Sequence, residues 1–401
     1  MAFFYDGFLA IECKTALDFK VVNEPNINNP RAEIDAIDAE ILRLLNRRAE
    51  IALRVGAAKS SVETSLCDPR RETEVIARLT AENPGPFDAT GIANIFQRII
   101  DESLHLQQRR FQAAPNVEAN ASIDPDRIDR RSRIAFQGEH GSFSEEAALK
   151  ILGDEIRTVP CRTFDELFRA IDEGKADLIL SPLENSLVGS VHRCYDLLLG
   201  SSLSIAADVV LPISHFLIGP PEASFETIRT VESHPVALAQ CERFFAAYPE
   251  LTAIAADDTA GSVKRAVESC DPTRAAIGAK RNAEIYGGRI LREHLEDHAE
   301  NFTRFALLTN VPDENARGSK ISLVVRLKHQ PGALHNALRP FVRRGINLIK
   351  IESRPIKGRP SEFNFYFDLQ APASESELRG ALEEIQEYAA EIRHLGRYST
   401  L

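Results

Sequence analysis

The sequence predicts a multidomain protein: an all-α helical module, then an α/β region, then an α+β domain of ferredoxin-like βαββαβ order. Three observations carry this. Between Arg31 and Gln107, apolar residues recur at steps of three and four. From Ile134 onward, short apolar runs (Ile134–Phe136, Leu178–Leu180, Ser204–Val210, Ile213–Ile218) alternate with amphipathic stretches such as Phe164–Ile171 and Val236–Ala246. The last part reads strand (Ile321–Leu327), helix (Ala333–Arg343), strand (Leu348–Ser353), strand (Phe363–Leu369), helix (Glu375–Glu391) and a short final strand. A length of 401 residues accommodates two or three domains. The 44% hydrophobic and 27% charged content is ordinary for a soluble globular chain. A net charge of −11 argues against nucleic acid or an anionic membrane as the main partner.

In the helical module the first segment places Arg31, Ile34, Ile37, Ile41, Leu45, Arg48, Ala52, Val55 and Lys59 on one stripe, the face expected to point inward. Three cations lie on that stripe, and buried charge is costly unless paired. An anionic ligand inside the bundle resolves this most simply. A second helix is expected after Asp68-Pro69-Arg70, with Asp68 as its cap and Glu72, Val75, Ile76 and Leu79 inward. A third carries Ile92, Phe96, Ile99, Ser103 and Gln107. Without a nucleophile–base pair or a metal cluster, such a pocket suits a small dianion whose reaction needs positioning and charge stabilisation. Arg31 and Arg48 lie roughly 25 Å apart along the helix at ~1.5 Å per residue, too far for one small metabolite, whereas Arg48 and Lys59, about 16 Å apart, converge. Arg31 therefore either serves a partner chain's pocket or begins the helix in solvent.

Arg31-x-x-Ile-Asp-x-x-Asp, Val55-Gly56-x-x-Lys59, Asp68-x-x-Arg71-Glu72 and Phe96-x-x-Ile-Ile-x-x-Ser103-x-x-x-Gln107 together resemble the all-helical chorismate mutases. The resemblance implies that Arg31 from the other protomer, Arg48 and Arg71 hold the carboxylates and pyruvyl group of chorismate. It further implies that Lys59 and Gln107 donate to the ether oxygen, that Glu72 and Asp68 contact the ring-hydroxyl side, and that Ser103 lines the site.

Residues 113–132 are rich in Ala, Asn, Asp, Pro and charge and read as a linker between a helical domain at 27–112 and an α/β domain at 133–311. A further break at Val311–Gly318 sets off a C-terminal domain at 319–401. The apolar start Met1–Ile11 is broken by Asp6 and lacks a basic flank, so no targeting role follows from it. Six scattered cysteines without a C-x-x-C pair read as reduced, mostly buried thiols in a cytoplasmic protein.

Three polar clusters mark the middle region. Gly138-Glu-His-Gly-Ser-Phe-Ser144 turns into a helix expected to be capped by Ser144, a seat for an anion. Pro182-Leu-Glu184-Asn185-Ser186 follows a strand, where α/β sheets bind ligands, and Asn301-Phe-Thr303-Arg304-Phe305 opens another. With Ser233-His234-Pro235-x-Ala-Leu-Ala-Gln240-Cys241 and Asp258-Thr259-Ala260, these motifs resemble the prephenate dehydratases over residues 133–311. The resemblance implies two α/β lobes with a cleft between them, in which Thr303 assists departure of the ring hydroxyl and Arg304 secures the site or substrate. Glu184, Asn185 and Gln240 complete the polar shell, Glu184 is a candidate proton source, and cations are expected for the acid groups. His294 and His298 lack the His-Glu-x-x-His order of a metal site and read as a solvated helix face. Gly287-Gly288 carries no dinucleotide fingerprint, so neither cofactor nor metal is expected.

Gln330-Pro331-Gly332-Ala333-Leu334-His335 and Ile351-Glu352-Ser353-Arg354-Pro355 resemble the ligand motifs of ACT domains that sense phenylalanine, with His335 departing from the usual small aliphatic residue. That implies an effector site at Gly332, Ala333, Leu334, Glu352, Ser353 and Arg354, and a chain that works as a homodimer or higher homo-oligomer. The combined expectation is a bifunctional chorismate mutase–prephenate dehydratase whose catalysis survives removal of residues 319–401. Arogenate dehydration, and a non-catalytic amino-acid-binding regulator that uses its helices to dimerise, are the alternatives.

Overall fold

The computed structural model describes residues 28–60, 66–111, 132–311, 317–372 and 374–401; the expected linker at 113–132, apart from Ser132, and the N-terminal segment 1–26 lie outside them. The chain divides into two compact units, which part between Phe111 and Gln112. Among the described residues no helix is long and apolar enough to cross a membrane. No group of acidic, histidine or cysteine side chains there could hold a metal. Cys161, Cys194 and Cys241 are buried and unbridged, while Cys270 is exposed.

The first unit is three helices: α1 (Asn28–Ser60), α2 (Pro69–Ala81) and α3 (Ala89–Phe111). Asp68 caps α2 as expected, its carboxylate accepting the Arg71 N–H at 3.1 Å. Glu72, Val75, Ile76 and Leu79 are the half-buried stripe of α2. On α1 the expectation holds for only half the helix. From Arg48 to Lys59 the stripe is half-buried apart from Val55, but Ile34, Ile37, Ile41 and Leu45 are 36–58% exposed. Thirty-three residues make α1 about 50 Å long, and the twenty-three-residue α3 cannot cover it.

The second unit begins with β1 (Arg133–Gln137), α4 (Phe143–Leu152), β2 (Arg157–Cys161), α5 (Phe164–Arg169), β3 (Leu178–Asn185), β4 (Gly189–Ser190), α6 (His192–Gly200) and β5 (Ser204–Pro212). The chain then builds a second lobe from β6 (Phe216–Gly219), β7 (Thr230–Ser233), α7 (Pro235–Ala239), α8 (Glu242–Ala247), β8 (Thr252–Ala255), α9 (Thr259–Glu268), β9 (Arg274–Gly278), α10 (Lys280–Tyr286) and β10 (Arg289–Arg292). It returns through β11 (Phe302–Thr309), which inserts between β3 and β5 and pairs antiparallel with both. The lobe sheets run β2-β1-β3-β11-β5, with β4 on β3, and β10-β6-β9-β7-β8. Because the chain crosses between lobes twice, the ends of β3 and β11 lie at the cleft. The C-terminal βαββαβ domain, β12 (Lys320–Leu327), α11 (Ala333–Arg343), β13 (Leu348–Pro355), β14 (Phe363–Gln370), α12 (Glu375–Ile385) and β15 (Ala389–Tyr398), forms a sheet ordered β13-β14-β12-β15.

Several expected elements change where tertiary bonds capture the backbone. The helix expected over Val236–Ala246 is two helices, because the Asp297 carboxylate accepts the Glu242 and Arg243 N–H groups and starts α8 afresh. Residues 294–298 are not a helix; the Leu295 and Asp297 amides donate to His215 and Gln240 carbonyls instead. Ser142, not Ser144, caps α4, accepting the Glu145 N–H at 3.3 Å. The strand expected from Ile213 starts at Phe216, since the Ile213 amide is tied to Asn301 at the lobe crossing. The helix expected to run to Glu391 stops at Ile385, and the final strand has ten residues because β12 has a free edge to pair with it.

The C-terminal domain shares a core with the first lobe: Val324, Tyr366, Leu395 and Tyr398 belong to the cluster that holds Ala135, Ile179 and Leu198. Removing residues 319–401 would uncover that core, which weighs against an active truncated enzyme. At the same joint the Arg304 guanidinium donates to Asp208 (2.6 Å), Asp368 (2.5 Å) and the Tyr398 hydroxyl (2.6 Å), while Lys320 reaches Asp208 at 2.9 Å. Burial opposes ionisation of both partners, yet the Tyr398, Asp368 and Asp208 neighbours hold Arg304 firmly protonated, and Arg304 and Lys320 hold Asp208 below its usual range. Removing one member of a buried ion cluster typically costs about 3–5 kcal/mol. Arg304→Ala should therefore destabilise this unit by that order in denaturant unfolding, and Arg304→Lys should recover only part, since an ammonium cannot span three partners. A loss below about 1 kcal/mol, the scale of a surface pair, would show that the cluster does not hold the domains together.

Candidate active sites and effector pocket

In the helical unit, Gly56 lets α1 and α3 approach: a Cβ there would lie 3.0 Å from Gln107 Cγ and from the Phe111 ring. That contact brings the expected polar set together. Arg48 donates to Ser103 Oγ (2.5 Å) and to the Ile99 carbonyl (3.4 Å), and partial burial lowers its pKa. Gln107 is 7% exposed and donates to the Ala52 carbonyl at 2.5 Å, which leaves its second N–H for another acceptor. Lys59 lies 3.1 Å from the Leu66 carbonyl and 3.9 Å from Asp68. Glu72 is half-buried, with Cys67 Sγ 3.9 Å from its carboxylate. Two expected residues are not gathered: Arg71 is exposed and pairs with Glu74 at 3.2 Å, and Arg31 is exposed on the uncovered half of α1.

The inter-lobe cleft has a volume of about 390 Å³. Asn185, Gln240 and Thr303 all line it. Asn185 Nδ2 donates to Thr303 Oγ1 at 3.0 Å. The first turns of the ten-residue helices α4 and α9 also open onto the cleft, through Phe143 and Ser144 and through Asp258 and Thr259. No lysine or arginine is among the described lining residues, so the cations expected there are not found, and the anion-seating groups present are the amides at the helix N-termini. Burial pushes the Asp258 carboxyl, which caps α9, above its ordinary range.

Glu184 and Arg304 depart from expectation. Successive side chains on a strand point to opposite faces, so the residues beside Asn185 and Thr303 turn away from the cleft. Glu184 pairs with Lys350 at 2.8 Å and Arg304 sits in the joint described above, and neither is among the residues that line the cleft. Sequence reasoning missed His215 and Asn301. His215 is 2% exposed and lines the cleft, and Asn301 is fully buried beside it, bonded to Asn185 and Gln240. Only Asn301 had a signal, its place in the Asn-Phe-Thr-Arg-Phe run.

In the C-terminal domain, Gly332, Ala333 and Leu334 line a pocket of about 260 Å³ with His329, His335, Phe363 and Phe365. The other three expected effector residues divide by strand alternation. Lys350, Glu352 and Arg354 face the dehydratase lobe: Glu352 accepts from Ser190 (2.7 Å) and lies 3.4 Å from His192, and Arg354 pairs with Asp196 at 3.2 Å. Ser353 lies on the opposite, exposed side, in register with Phe365 of the pocket. Glu352 and Arg354 are therefore joint residues and not part of the pocket.

Known proteins match along this whole arrangement. Family models match for chorismate mutase type II at residues 30–108, for prephenate dehydratase at 134–313 and for the ACT domain at 321–387. A bifunctional chorismate mutase/prephenate dehydratase of Neisseria gonorrhoeae is 34% identical over 371 residues, 92% of this chain and 96% of its own. An arogenate dehydratase/prephenate dehydratase of Arabidopsis thaliana is 39% identical over 298 residues, 70% of this chain and 76% of its own. A prephenate dehydratase from Arthrobacter aurescens, solved in complex with L-Phe, is 29% identical with a TM-score of 0.62 and covers 67% of this chain and 90% of that one. Three modules in one order, with a relative aligned along nearly its full length, place the chain in the bifunctional chorismate mutase/prephenate dehydratase family.

Proposed function

We propose that the helical unit rearranges chorismate to prephenate, that the two-lobed cleft converts prephenate to phenylpyruvate, and that phenylalanine in the C-terminal pocket restrains the second step. The observation that carries the reading is the meeting of Asn185, Gln240 and Thr303 in one cleft with the first turns of α4 and α9. Loss of the ring carboxylate as CO2 drives its electrons into the ring and expels the hydroxyl, which must take up a proton as it leaves. Thr303 and Gln240 donate to that oxygen, and the helix amides hold the acid groups. In the helical unit the reaction is a bond reorganisation without covalent catalysis, so Arg48, Lys59 and Gln107 act by orienting the dianion and stabilising charge on the ether oxygen. Glu72, Asp68 and Ser103 line the same side.

A second copy of the chain completes this reading. The bare apolar half of α1 is the face another α1 would cover, and pairing there would carry Arg31 toward the partner's pocket. Arogenate remains a second substrate for the cleft, favoured by the identity to the plant relative. Comparing turnover of prephenate and arogenate separates them.

Fed chorismate, the protein should form phenylpyruvate, and phenylalanine should slow this. Losing one preorganised donor typically costs about 10²–10³ in rate. Thr303→Ala should therefore accumulate prephenate with mutase turnover intact, and a fall in phenylpyruvate formation under about tenfold would be too small for the assigned role. Arg31→Ala and Arg48→Ala chains, each inactive as mutases, should regain roughly one working pocket per mixed dimer when co-expressed; mixtures as inactive as the parents would rule out a shared site. Gly332 has φ +77° and its Cβ position meets only Asn336, at 3.8 Å, so Gly332→Asn, a residue that tolerates the left-handed region far better than a β-branched one, has room and narrows the pocket. It should abolish inhibition by phenylalanine while uninhibited turnover stays within about twofold, and retained inhibition would place the sensor elsewhere.

A further inference from the structure

The polar groups of the dehydratase cleft form one directed chain. Asn185 Oδ1 accepts the Leu187 and Val188 backbone N–H groups, both at 3.0 Å, so its amide nitrogen must face the other way. That nitrogen's two N–H groups serve Asn301 Oδ1 (2.7 Å), Thr303 Oγ1 (3.0 Å) and the Phe302 carbonyl (3.1 Å), one of them shared. Asn301 is thereby fixed with its own nitrogen toward Gln240 Oε1, at 3.0 Å. The same Gln240 oxygen lies 2.8 Å from His215 Nε2, and two acceptors cannot share that bond, so the imidazole carries its proton on Nε2. The His215 backbone is anchored, its amide donating to Glu296 (2.7 Å) and its carbonyl accepting from Leu295 (2.9 Å), and Phe143 meets the ring edge-on at 5.9 Å.

We infer that His215 and Asn301 are positioning residues of the dehydration step, jointly holding Gln240 Oε1 so that the Gln240 amide N–H groups and the Thr303 hydroxyl proton point into the cleft as donors. Thr303 Oγ1 already accepts from Asn185, so its proton is directed away from the chain. Gln240 has its oxygen occupied twice, which excludes the flipped amide that would offer an acceptor to the leaving hydroxyl. The fixed Nε2–H of His215 supplies one of those two bonds, and burial, opposed only in part by Gln240 and Glu296, keeps the ring neutral at physiological pH.

This inference rests on reading the cleft as the prephenate site, and the parent enzyme tests that reading first: failure to convert prephenate would sink it regardless of the variants. Given an active parent, His215→Leu removes the Nε2 donor, and Asn301→Asp keeps the shape but cannot donate to Gln240. Both should lower kcat on prephenate by about tenfold or more with KM within about threefold, because the lost interaction acts on the leaving group in the transition state. His215→Gln, whose amide N–H reaches the place of Nε2, should return kcat to within about threefold of the parent. Chorismate mutase turnover and the thermal transition are followed alongside, and should His215→Leu fail to fold, Asn301→Asp decides. An unchanged kcat, a raised KM at constant kcat, or a His215→Gln enzyme as impaired as His215→Leu would overturn the assignment.

Discussion

A guanidinium withdrawn from water has to be surrounded by acceptors, and the way Arg304 meets this requirement organises the larger unit. Its fork spans Asp208 on β5, Asp368 on β14 and Tyr398 on β15, so one side chain ties the middle of the first lobe to two strands of the C-terminal domain. Ser322 closes the ring with bonds to both Asp368 and Tyr398. Charge compensation here is local and complete enough to keep Arg304 and Asp208 ionised despite burial. Such a cluster adds less to stability than its attractions suggest, because desolvation opposes them.

The same strand also lines the cleft. Thr303 and Arg304 are adjacent on β11 and project to opposite faces, one into the cleft and one into the joint. Glu184 and Asn185 repeat this division on the neighbouring strand, with Asn185 turned to Thr303 and Glu184 to Lys350. A strand whose alternate residues face cleft and joint cannot shift register by one residue without exchanging the two faces. That constraint explains why the charged neighbours of Thr303 and Asn185 belong to a different site.

Much of the architecture was legible because it rests on local pattern. The α2 stripe, the Asp68 cap, the βαββαβ order and the span of α11 follow from local pattern. The sequence runs that name Asn185, Gln240 and Thr303 also place them correctly in one cleft. What was not legible depends on distant partners. Ile34 and Ile41 read as core, yet α3 is too short to cover them. Glu375–Glu391 has helical character to its end, yet the free edge of β12 takes the residues after Tyr388 as a strand. His215 is a lone histidine in the short connection between β5 and β6, and nothing in its neighbours reveals that Gln240 will be brought to within 2.8 Å from twenty-five residues away.

The joint also limits how an effector can act. β13 is an edge strand whose inward residues Lys350, Glu352 and Arg354 grip Glu184, Ser190, His192 and Asp196, and Ser190 itself lines the dehydratase cleft. Its outward residues Ile349, Ile351 and Ser353 are exposed, next to β14, whose first residues line the C-terminal pocket. A ligand in that pocket touches none of the catalytic groups. It can alter turnover only by preferring one placement of β13 and β14 over another, and by no more than its difference in affinity between the two. The shared core behind Arg304 resists separation of the domains, so the movement open to such a ligand is a small displacement of β13 against α6 and β4. Because Lys350 and Glu352 bond to the segment that forms one wall of the cleft, even a shift of about one hydrogen-bond length would be felt at the donors, where a misplacement near 1 Å can cost about a hundredfold in rate.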